Sequence, residues 1–392
     1  MSAEATIPVV TNTQQKKIHR IAVGALFFLQ GICFATWASR IPTIQKTLGI
    51  SEATLGGLLL SLTAGSLFSL LFSGRLISRW GSRRVVQIIL ILYPLCLLLI
   101  GSAQRVPLLI VALVLFGAAG NLSNIAINTQ AVAVEKMYGR SIMASFHGLW
   151  SAAGFVAAGI GTYAMGHNVA TLFHFMLVAG GIVMCVFISF RFLVHDKGTT
   201  TPDKTRLFAK PPRSLLPLGV LAFCCMICEG TMFDWSGIYF QKVVDAPKAW
   251  VGAGYTAFMC TMAGGRFLAD WVTNHLSFRR TLTVSGLLIS SGLILAVALP
   301  LLVPALIGFS LVGLGVSSVV PLVYGQAGRS QEVAPGVALT AVSSIGFFGF
   351  LLGPPLIGSI AGLSSLRISF VLIALIGLSI TVVAQRVHCT KN

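Results

Sequence analysis

Twelve apolar runs, each about the length of a bilayer-crossing helix, constrain this sequence more than any other feature. Backbone groups in lipid must satisfy their own hydrogen bonds, and a helix does so. Hydrophobic residues make up 56% of the 392 residues and charged residues only 9%, against about 25% in soluble domains. The sequence therefore predicts an all-α membrane protein with twelve transmembrane helices. The predicted spans are 21–39, 55–72, 85–100, 108–130, 142–163, 171–192, 215–240, 251–272, 281–301, 304–324, 336–360 and 368–384.

One loop is longer and more polar than the others. Residues 195–213, "HDKGTTTPDKTRLFAKPPR", separate six spans from six. We expect residues 1–194 to form an N-terminal six-helix bundle, 195–213 a linker and 214–392 a C-terminal six-helix bundle.

The basic residues predict the orientation of the chain. Of the 27 Lys and Arg residues, 20 fall at the end of the spans that holds both termini and the long loop, six fall at the opposite end, and Arg266 lies inside a span. Because cytoplasmic loops carry the excess of Lys and Arg, we expect both termini and the linker in the cytoplasm. The net charge of +17 follows from this pattern and does not indicate nucleic-acid binding.

The two halves of the chain resemble each other. "SGRLISRWGSRR" (73–84) follows the second span and "ADWVTNHLSFRR" (269–280) follows the eighth. "LQGICF" in the first span matches "CEGTMF" in the seventh and aligns Gly31 with Gly230. Parallel repeats of this kind are typical of secondary transporters. We therefore expect two pseudo-symmetric six-helix bundles.

The stretch "GRLISRWGSRR" resembles the loop 2–3 signature of the major facilitator superfamily, G-x-x-x-D-R-x-G-R-R, with Ser78 where the family usually has Asp. The resemblance implies the major facilitator fold and a cytoplasmic latch in this loop. It assigns a gating role to the matching positions, Gly74, Arg79, Gly81, Arg83 and Arg84. We place Asp270, in the corresponding stretch of the second half, in the same gating set.

A closer resemblance, to the bacterial inner-membrane YbjJ family, runs along most of the chain. Its pieces are "ATWASRIP", "AIN", "HG", "EGTMFDW", "GGRF" and "FLLGPPLIG". It implies a multi-pass protein of the bacterial inner membrane and says little about a substrate. The motifs of proton-linked drug antiporters are missing, because position 113 is Leu rather than Arg and the fifth span has no G-x-x-x-G-P.

The segment "CEGTMFDWSG" places two acidic residues, Glu229 and Asp234, inside the seventh span. Acidic residues are costly in hydrocarbon and usually serve a function. Burial favours the protonated form of a carboxyl, so either residue is a candidate for coupling transport to protons. Five residues on a helix correspond to about 140° of rotation, and we do not expect the two carboxylates to share a face.

Arg266 in the eighth span needs an anionic partner, because a guanidinium stays charged. Glu229, Asp270 or a substrate carboxylate would serve. If Arg266 pairs with Glu229, protonation of Glu229 would release Arg266 and couple proton and substrate movement. A static ion pair between helices is the alternative.

Other polar and aromatic side chains are candidates for lining a substrate cavity. The fourth span carries amides at i, i+3 and i+7, which lie along one stripe of a helix and suit hydroxyl or carboxylate ligands, or join helices. A histidine in the fifth span could titrate near neutral pH or have a structural role. The predicted substrate-binding residues are Gln30, Trp37, Asn121, Asn124, Asn128, Trp235 and Arg266, and the predicted proton-coupling residues are Glu229, Asp234 and His147.

These features predict a proton-coupled secondary transporter that moves a small polar solute by alternating access. The alternative is a uniporter or an anion exchanger in which Arg266 binds the substrate. Drug efflux, an intramembrane enzyme and a receptor are less well supported, since enzyme motifs and signalling domains are missing. We expect a monomer whose partners are the solute, protons and the lipid bilayer, with no nucleic acid, cofactor or metal. The Cys225 and Cys228 pair lacks the second ligand pair of a metal site.

Overall fold

Helices make up nearly all of the described chain. The structure is a computed structural model and describes residues 13–138, 142–195, 213–328, 332 and 335–387. Within these ranges only the backbone is described for residues 144, 213, 269–275, 328, 335–337, 339 and 340. No β-strand occurs in this part of the chain. Most of the predicted linker therefore lies outside the described residues, and the predicted domain boundaries stay a prediction.

Thirteen α-helices follow one another in the described ranges, and each of the twelve predicted spans is confirmed as helical. They are α1 Thr13–Leu48, α2 Glu52–Trp80, α3 Ser82–Ser102, α4 Val106–Tyr138, α5 Met143–Gly166, α6 Thr171–Ser189, α7 Leu216–Lys242, α8 Ala253–His275, α9 Phe278–Ala298, α10 Leu302–Ser317, α11 Val319–Gly328, α12 Pro335–Leu363 and α13 Leu366–Arg386.

Several helix ends follow from local sequence. Ser51 begins α2, and its hydroxyl accepts a hydrogen bond from the Thr54 amide at 3.2 Å, which satisfies one of the free amides of the first turn. Ser277 and Ser365 cap α9 and α13 in the same way. Gly81 separates α2 from α3 with a φ of +78°, a conformation that glycine adopts without a steric penalty.

The tenth predicted span is two helices rather than one. α10 ends at Ser317 and α11 begins at Val319. Pro321 has no amide hydrogen, and its ring would clash with the carbonyl group of Ser317 in a continuous helix. The break therefore falls where the proline requires it.

The packing of the helices repeats between the two halves. In the first half α1 packs on α5, α2 on α4 and α3 on α6. In the second half α7 packs on α12, α8 on α10 and α9 on α13. When α10 and α11 are counted together as the tenth span, these pairs are the pairs of the first half moved along the chain by six spans. The prediction of two pseudo-symmetric bundles is therefore confirmed.

The halves meet along two equivalent helix pairs, α2 with α12 and α5 with α8. In the described chain, ten segments are long and apolar enough to cross a membrane, and α5 and α8 are not among them. Both lie at the interface between the halves, where a helix needs less apolar surface than one that faces lipid. Polar side chains such as Ser151 of α5 and Arg266 of α8 therefore contact other protein groups there.

The halves make close contacts at one end of the molecule, which we call the distal end. This is the end at which α1 finishes at Leu48 and α2 begins at Glu52. A Cβ atom on Gly56 of α2 would lie 2.8 Å from the Pro354 carbonyl oxygen of α12. The hydroxyl groups of Thr162 and Thr256 are 3.0 Å apart between α5 and α8. The backbones of the two halves are therefore in direct contact at the distal end.

Candidate functional site

A cavity of about 330 Å³ lies between the two halves, within the size range of small-molecule sites. Its walls come from α1, α2, α4 and α5 of the first half and from α7, α8, α11 and α12 of the second. The lining residues are Phe27, Phe34, Leu59, Leu62, Thr63, Ser66, Asn124, His147, Trp150, Met226, Glu229, Gly230, Phe233, Asp234, Arg266, Val320, Phe347 and Phe350.

Arg266 joins three helices at this cavity. One terminal nitrogen, Nη2, donates to Oε1 of Glu229 on α7 at 3.0 Å. The other, Nη1, donates to the hydroxyl oxygen of Ser151 on α5 at 2.5 Å. Of the partners that the sequence offered for Arg266, the structure thus brings Glu229 to it, whereas the side chain of Asp270 lies outside the described residues.

The Glu229–Arg266 pair is largely withdrawn from solvent, since the two side chains are 7% and 18% exposed respectively. Charge-assisted hydrogen bonds of this kind are stronger than neutral ones. Ser151 is fully buried and belongs to the other half of the molecule. The ion pair within the second half is therefore also hydrogen-bonded to the first half.

Asp234 lines the same cavity as Glu229. The expectation that the two carboxylates do not share a face of α7 stays a prediction, because both can line one cavity without lying on the same side of the helix. Among the described residues, Asp234 has no hydrogen-bond or ion-pair partner. Its carboxylate interacts electrostatically with the Tyr255 hydroxyl group, which is itself buried without a hydrogen bond.

Aromatic rings surround Phe233, the residue before Asp234. Its ring centroid lies 5.6 Å from that of Phe34, 6.3 Å from that of Trp150 and 6.3 Å from that of Phe350. These four rings come from α1, α5, α7 and α12 and all line the cavity. We call Phe34, Trp150, Phe233 and Phe350 the ring cluster, and it makes the cavity wall more aromatic than the sequence predicted.

His147 also lines the cavity, with its side chain exposed to it. Its ring is T-shaped against Phe27, with centroids 5.2 Å apart. His147 lies one helical turn before Ser151 on α5, so both project toward the same side of that helix. The structure thus places all three predicted proton-coupling residues around one cavity.

The predicted amide stripe is divided between two environments. Asn124 lines the main cavity. Asn121 donates to Ser69 Oγ at 2.7 Å and holds α4 against α2, and Asn128 donates to the carbonyl oxygen of Asn124 at 2.8 Å. A second cavity of about 170 Å³ within the first half is lined in part by Gln30, Asn121 and Asn124.

The two predicted tryptophans lie away from the cavity. Trp37 and Trp235 are 1% and 0% exposed and do not line it. Their indole nitrogens have no hydrogen-bond partner in the described chain. Gln30 donates to Ser123 Oγ at 2.9 Å and joins α1 to α4.

The predicted gating residues lie at the end opposite the distal one, where α2 meets α3. Gly74, Arg79 and Arg84 are exposed. Arg83 contacts His195 and donates to the Phe190 carbonyl oxygen at 3.3 Å, so it joins the start of α3 to the end of α6. This contact lies within the first half.

The thiols of Cys225 and Cys228 point to different helices. Cys225 donates to the Val316 carbonyl oxygen and Cys228 to the Ile373 carbonyl oxygen, both at 3.7 Å. The pair is thus used in helix packing.

Sequence reasoning missed Ser151, Tyr255 and the ring cluster. Ser151 follows His147 by four residues, and that spacing was the available signal. The ring cluster had no such signal, because its members come from four separate helices.

The comparisons with known proteins agree with this architecture. The family model described as Major Facilitator Superfamily matches residues 23–335. An uncharacterised MFS-type transporter of Yersinia pestis is 33% identical over 371 residues, which cover 94% of this chain and 95% of the relative. The membrane protein MosC of Rhizobium meliloti is 34% identical over 351 residues, which cover 88% and 84%.

Two solved structures share the fold at low sequence identity. A variant of the nucleoside transporter NupG superposes with a TM-score of 0.75 at 12% identity, covering 94% of this chain and 99% of that one. A bacterial homologue of the human lysosomal transporter Spinster, in an inward-facing and occupied conformation, gives a TM-score of 0.72 at 13% identity over 96% and 98% of the chains. With the repeated helix packing and the family match over most of its length, the chain belongs to the Major Facilitator Superfamily of membrane transporters.

Proposed function

We propose that this protein is a proton-coupled secondary transporter that moves a small polar solute by alternating access. The observation that carries the proposal is the position of Arg266, which binds Glu229 in its own half and Ser151 in the other half. A charged group that spans the moving interface is a means by which a proton can change the equilibrium between conformations.

The coupling step would be protonation of Glu229. A neutral Glu229 would leave the guanidinium of Arg266 without its counter-charge in a largely buried site, and this is unfavourable. Arg266 would then lose its ion pair with Glu229 and move toward another partner. This movement would alter its hydrogen bond to Ser151, which joins the two halves. His147 and Asp234 line the same cavity and are further proposed proton carriers.

The orientation and location are part of this proposal. The distribution of Lys and Arg supports cytoplasmic termini, a cytoplasmic linker at 195–213 and insertion in a bacterial inner membrane. The distal end then faces outside, and the contacts there support a conformation closed to the outside. We also propose a monomer and a relationship to the YbjJ family within the superfamily.

An anion exchanger that binds its substrate through Arg266 is the second candidate. Arg266 does line the cavity, but Glu229 already neutralises its charge in this conformation. An anion would have to displace that carboxylate, so this candidate is less well supported.

The test is transport by purified protein in liposomes loaded with a pH-sensitive dye. Pools of sugars, amino acids, amines and carboxylates are added, and solute-driven proton flux is recorded. For Glu229→Gln we expect proton flux to fall by about tenfold or more while solute exchange persists, since a change of 1.4 kcal/mol in coupling corresponds to a factor of about ten.

The matched control is Asp245→Asn, which likewise neutralises a carboxylate but at an exposed position outside the cavity. We expect its proton flux to stay close to that of the wild type. Solute movement without proton flux in the wild type, with Glu229→Gln unchanged, would contradict proton coupling and leave a uniporter or an exchanger.

A further inference from the structure

The charges around the main cavity do not balance. Among the described residues that line it, the acidic side chains are Glu229 and Asp234, the permanently charged basic one is Arg266, and His147 is positive only when it is protonated. Glu229 and Arg266 neutralise each other at 3.0 Å. Asp234 is left as the lining acid that has no basic partner among the described residues.

Among the described residues, no basic side chain pairs with Asp234 in this conformation. The nearby Tyr255 hydroxyl group is buried and makes no hydrogen bond in the described chain, so it does not serve as a partner. An unpaired carboxylate away from bulk water is unfavourable unless a proton or another cation joins it. The cavity therefore has the electrostatics of a cation site.

The walls next to Asp234 favour an organic cation. Phe233 precedes Asp234 on α7 and lies at the centre of the ring cluster. Aromatic faces attract ammonium groups through their quadrupoles, and they also give an apolar body a surface on which to pack. A strongly hydrated inorganic ion would gain little from such a wall.

The size of the cavity limits the ligand to a small molecule. A volume of about 330 Å³ lies at the lower end of the range for drug-sized ligands. Because Glu229 is already paired with Arg266, the described residues offer one unpaired acid, which suits a ligand with one positive charge better than a polyamine.

We propose that the transported solute is an organic monocation, a protonated amine or a quaternary ammonium compound with an apolar or aromatic body. Its ammonium group pairs with Asp234, and its body packs on the ring cluster. This inference rests on the proposed transport function and narrows its substrate class. In this inference Asp234 serves the substrate site instead of acting as one of the further proton carriers, and Glu229 carries the proton coupling through Arg266.

The test uses three probes with similar bodies and different charges. These are 2-phenylethylammonium, neutral 2-phenylethanol and anionic 3-phenylpropanoate. Binding to the purified full chain in detergent is measured by titration calorimetry at neutral pH. We expect the cation to bind about tenfold or more tightly than the alcohol, because a hydrogen bond to a charged group is stronger than one between neutral groups.

Two variants and a matched control identify the group responsible. Asp234→Asn keeps the shape and removes the charge, and we expect it to abolish the preference for the cation. Asp234→Glu keeps the charge and should retain part of that preference. The control is Asp245→Asn at the exposed end of the same helix region, which should bind all three probes as the wild type does.

A wild type without preference for the cation, including one that binds none of the probes, would overturn the inference. So would a cation preference that survives Asp234→Asn. Tighter binding of 3-phenylpropanoate would overturn it and favour the anion exchanger.

Because calorimetry needs no transport, cation binding through Asp234 without solute-driven proton flux would count against the proposed function alone. Proton flux driven only by neutral solutes would count against the inference alone.

Discussion

Arg266 donates hydrogen bonds to two residues on different helices, and the effect of replacing it depends on both bonds. One nitrogen binds Glu229 and the other binds Ser151. A lysine has a single compact charge and cannot hold both partners in the same geometry. The guanidinium therefore serves as an ion-pair partner and as a bridge between the halves.

The pair should be more sensitive to the loss of one partner than to the loss of both. Removal of one member of a buried ion pair costs about 3–5 kcal/mol because the other charge stays uncompensated, whereas replacement of the whole pair is often neutral. We expect Glu229→Gln and Arg266→Gln each to lower the thermal unfolding midpoint in detergent. The double variant should unfold at a higher temperature than either single variant.

Ser151→Ala is compared with these three variants, because it removes the hydrogen bond between Arg266 and the first half and leaves the Glu229–Arg266 ion pair intact. It should lower the midpoint less than either single change of the pair. Additive losses in the double variant would show that Glu229 and Arg266 do not depend on each other, and the coupling step proposed for them would then have no basis.

The charged residues of the site could be predicted from the sequence, since a charge inside an apolar run requires a reason. Glu229, Asp234 and Arg266 were identified in this way, and all three line one cavity. Trp37 and Trp235 have no comparable cost in lipid, so the sequence could not indicate whether they face the cavity or the core. The structure places both in the core.

At the scale of helices, apolar runs predicted every span as helical, including α5 and α8, which are less apolar than the other spans. The break between α10 and α11 depends on Pro321, whose effect on the carbonyl four residues earlier is local. The sequence thus contained the signal for that break. The partner of each helix was not predictable in this way, because the helix faces in contact are set by packing between distant segments.

The contact of α2 with α12 at the distal end depends on two glycines. A Cβ atom on Gly358 would lie 2.7 Å from the Glu52 carbonyl oxygen and 2.8 Å from the Gly56 Cα atom. Overpacking of a close contact costs about 1–3 kcal/mol. We expect Gly56→Ala or Gly358→Ala to favour conformations that are open at the distal end.

Cysteine labelling would measure this shift. Thr63→Cys places a thiol in the cavity wall on α2, in a background without reactive surface cysteines, and an impermeant maleimide is added to vesicles on the distal side. Gly56→Ala should raise the labelling rate about fivefold or more, as a shift of about 1 kcal/mol implies.

Gly57→Ala is the matched control, since a Cβ atom on Gly57 would meet nothing within 4 Å. It should label at the rate of the parent protein. Equal rates for Gly56→Ala and Gly57→Ala would show that the glycine contact does not limit opening at the distal end.

At the scale of the whole molecule, two of the contacts that join the halves at the distal end differ in kind. One is the backbone-level packing of α2 on α12. The other is the ion pair between Lys242 and Glu52, whose charged atoms are 2.6 Å apart. The side chains of that pair are 41% and 22% exposed. Exposed ion pairs contribute about 0.2–1 kcal/mol and are screened by salt. Packing should therefore dominate the closure.

This ranking leads to a prediction for the ion pair. In the same labelling assay, Lys242→Gln should raise the labelling rate of the Thr63→Cys thiol by about fivefold at most, and less than Gly56→Ala does, because it removes only an exposed ion pair. High salt should reproduce the effect of Lys242→Gln and add nothing in that variant, since both act on the same charges. A larger effect of Lys242→Gln than of Gly56→Ala would reverse the ranking and make electrostatic attraction the main force that closes the distal end.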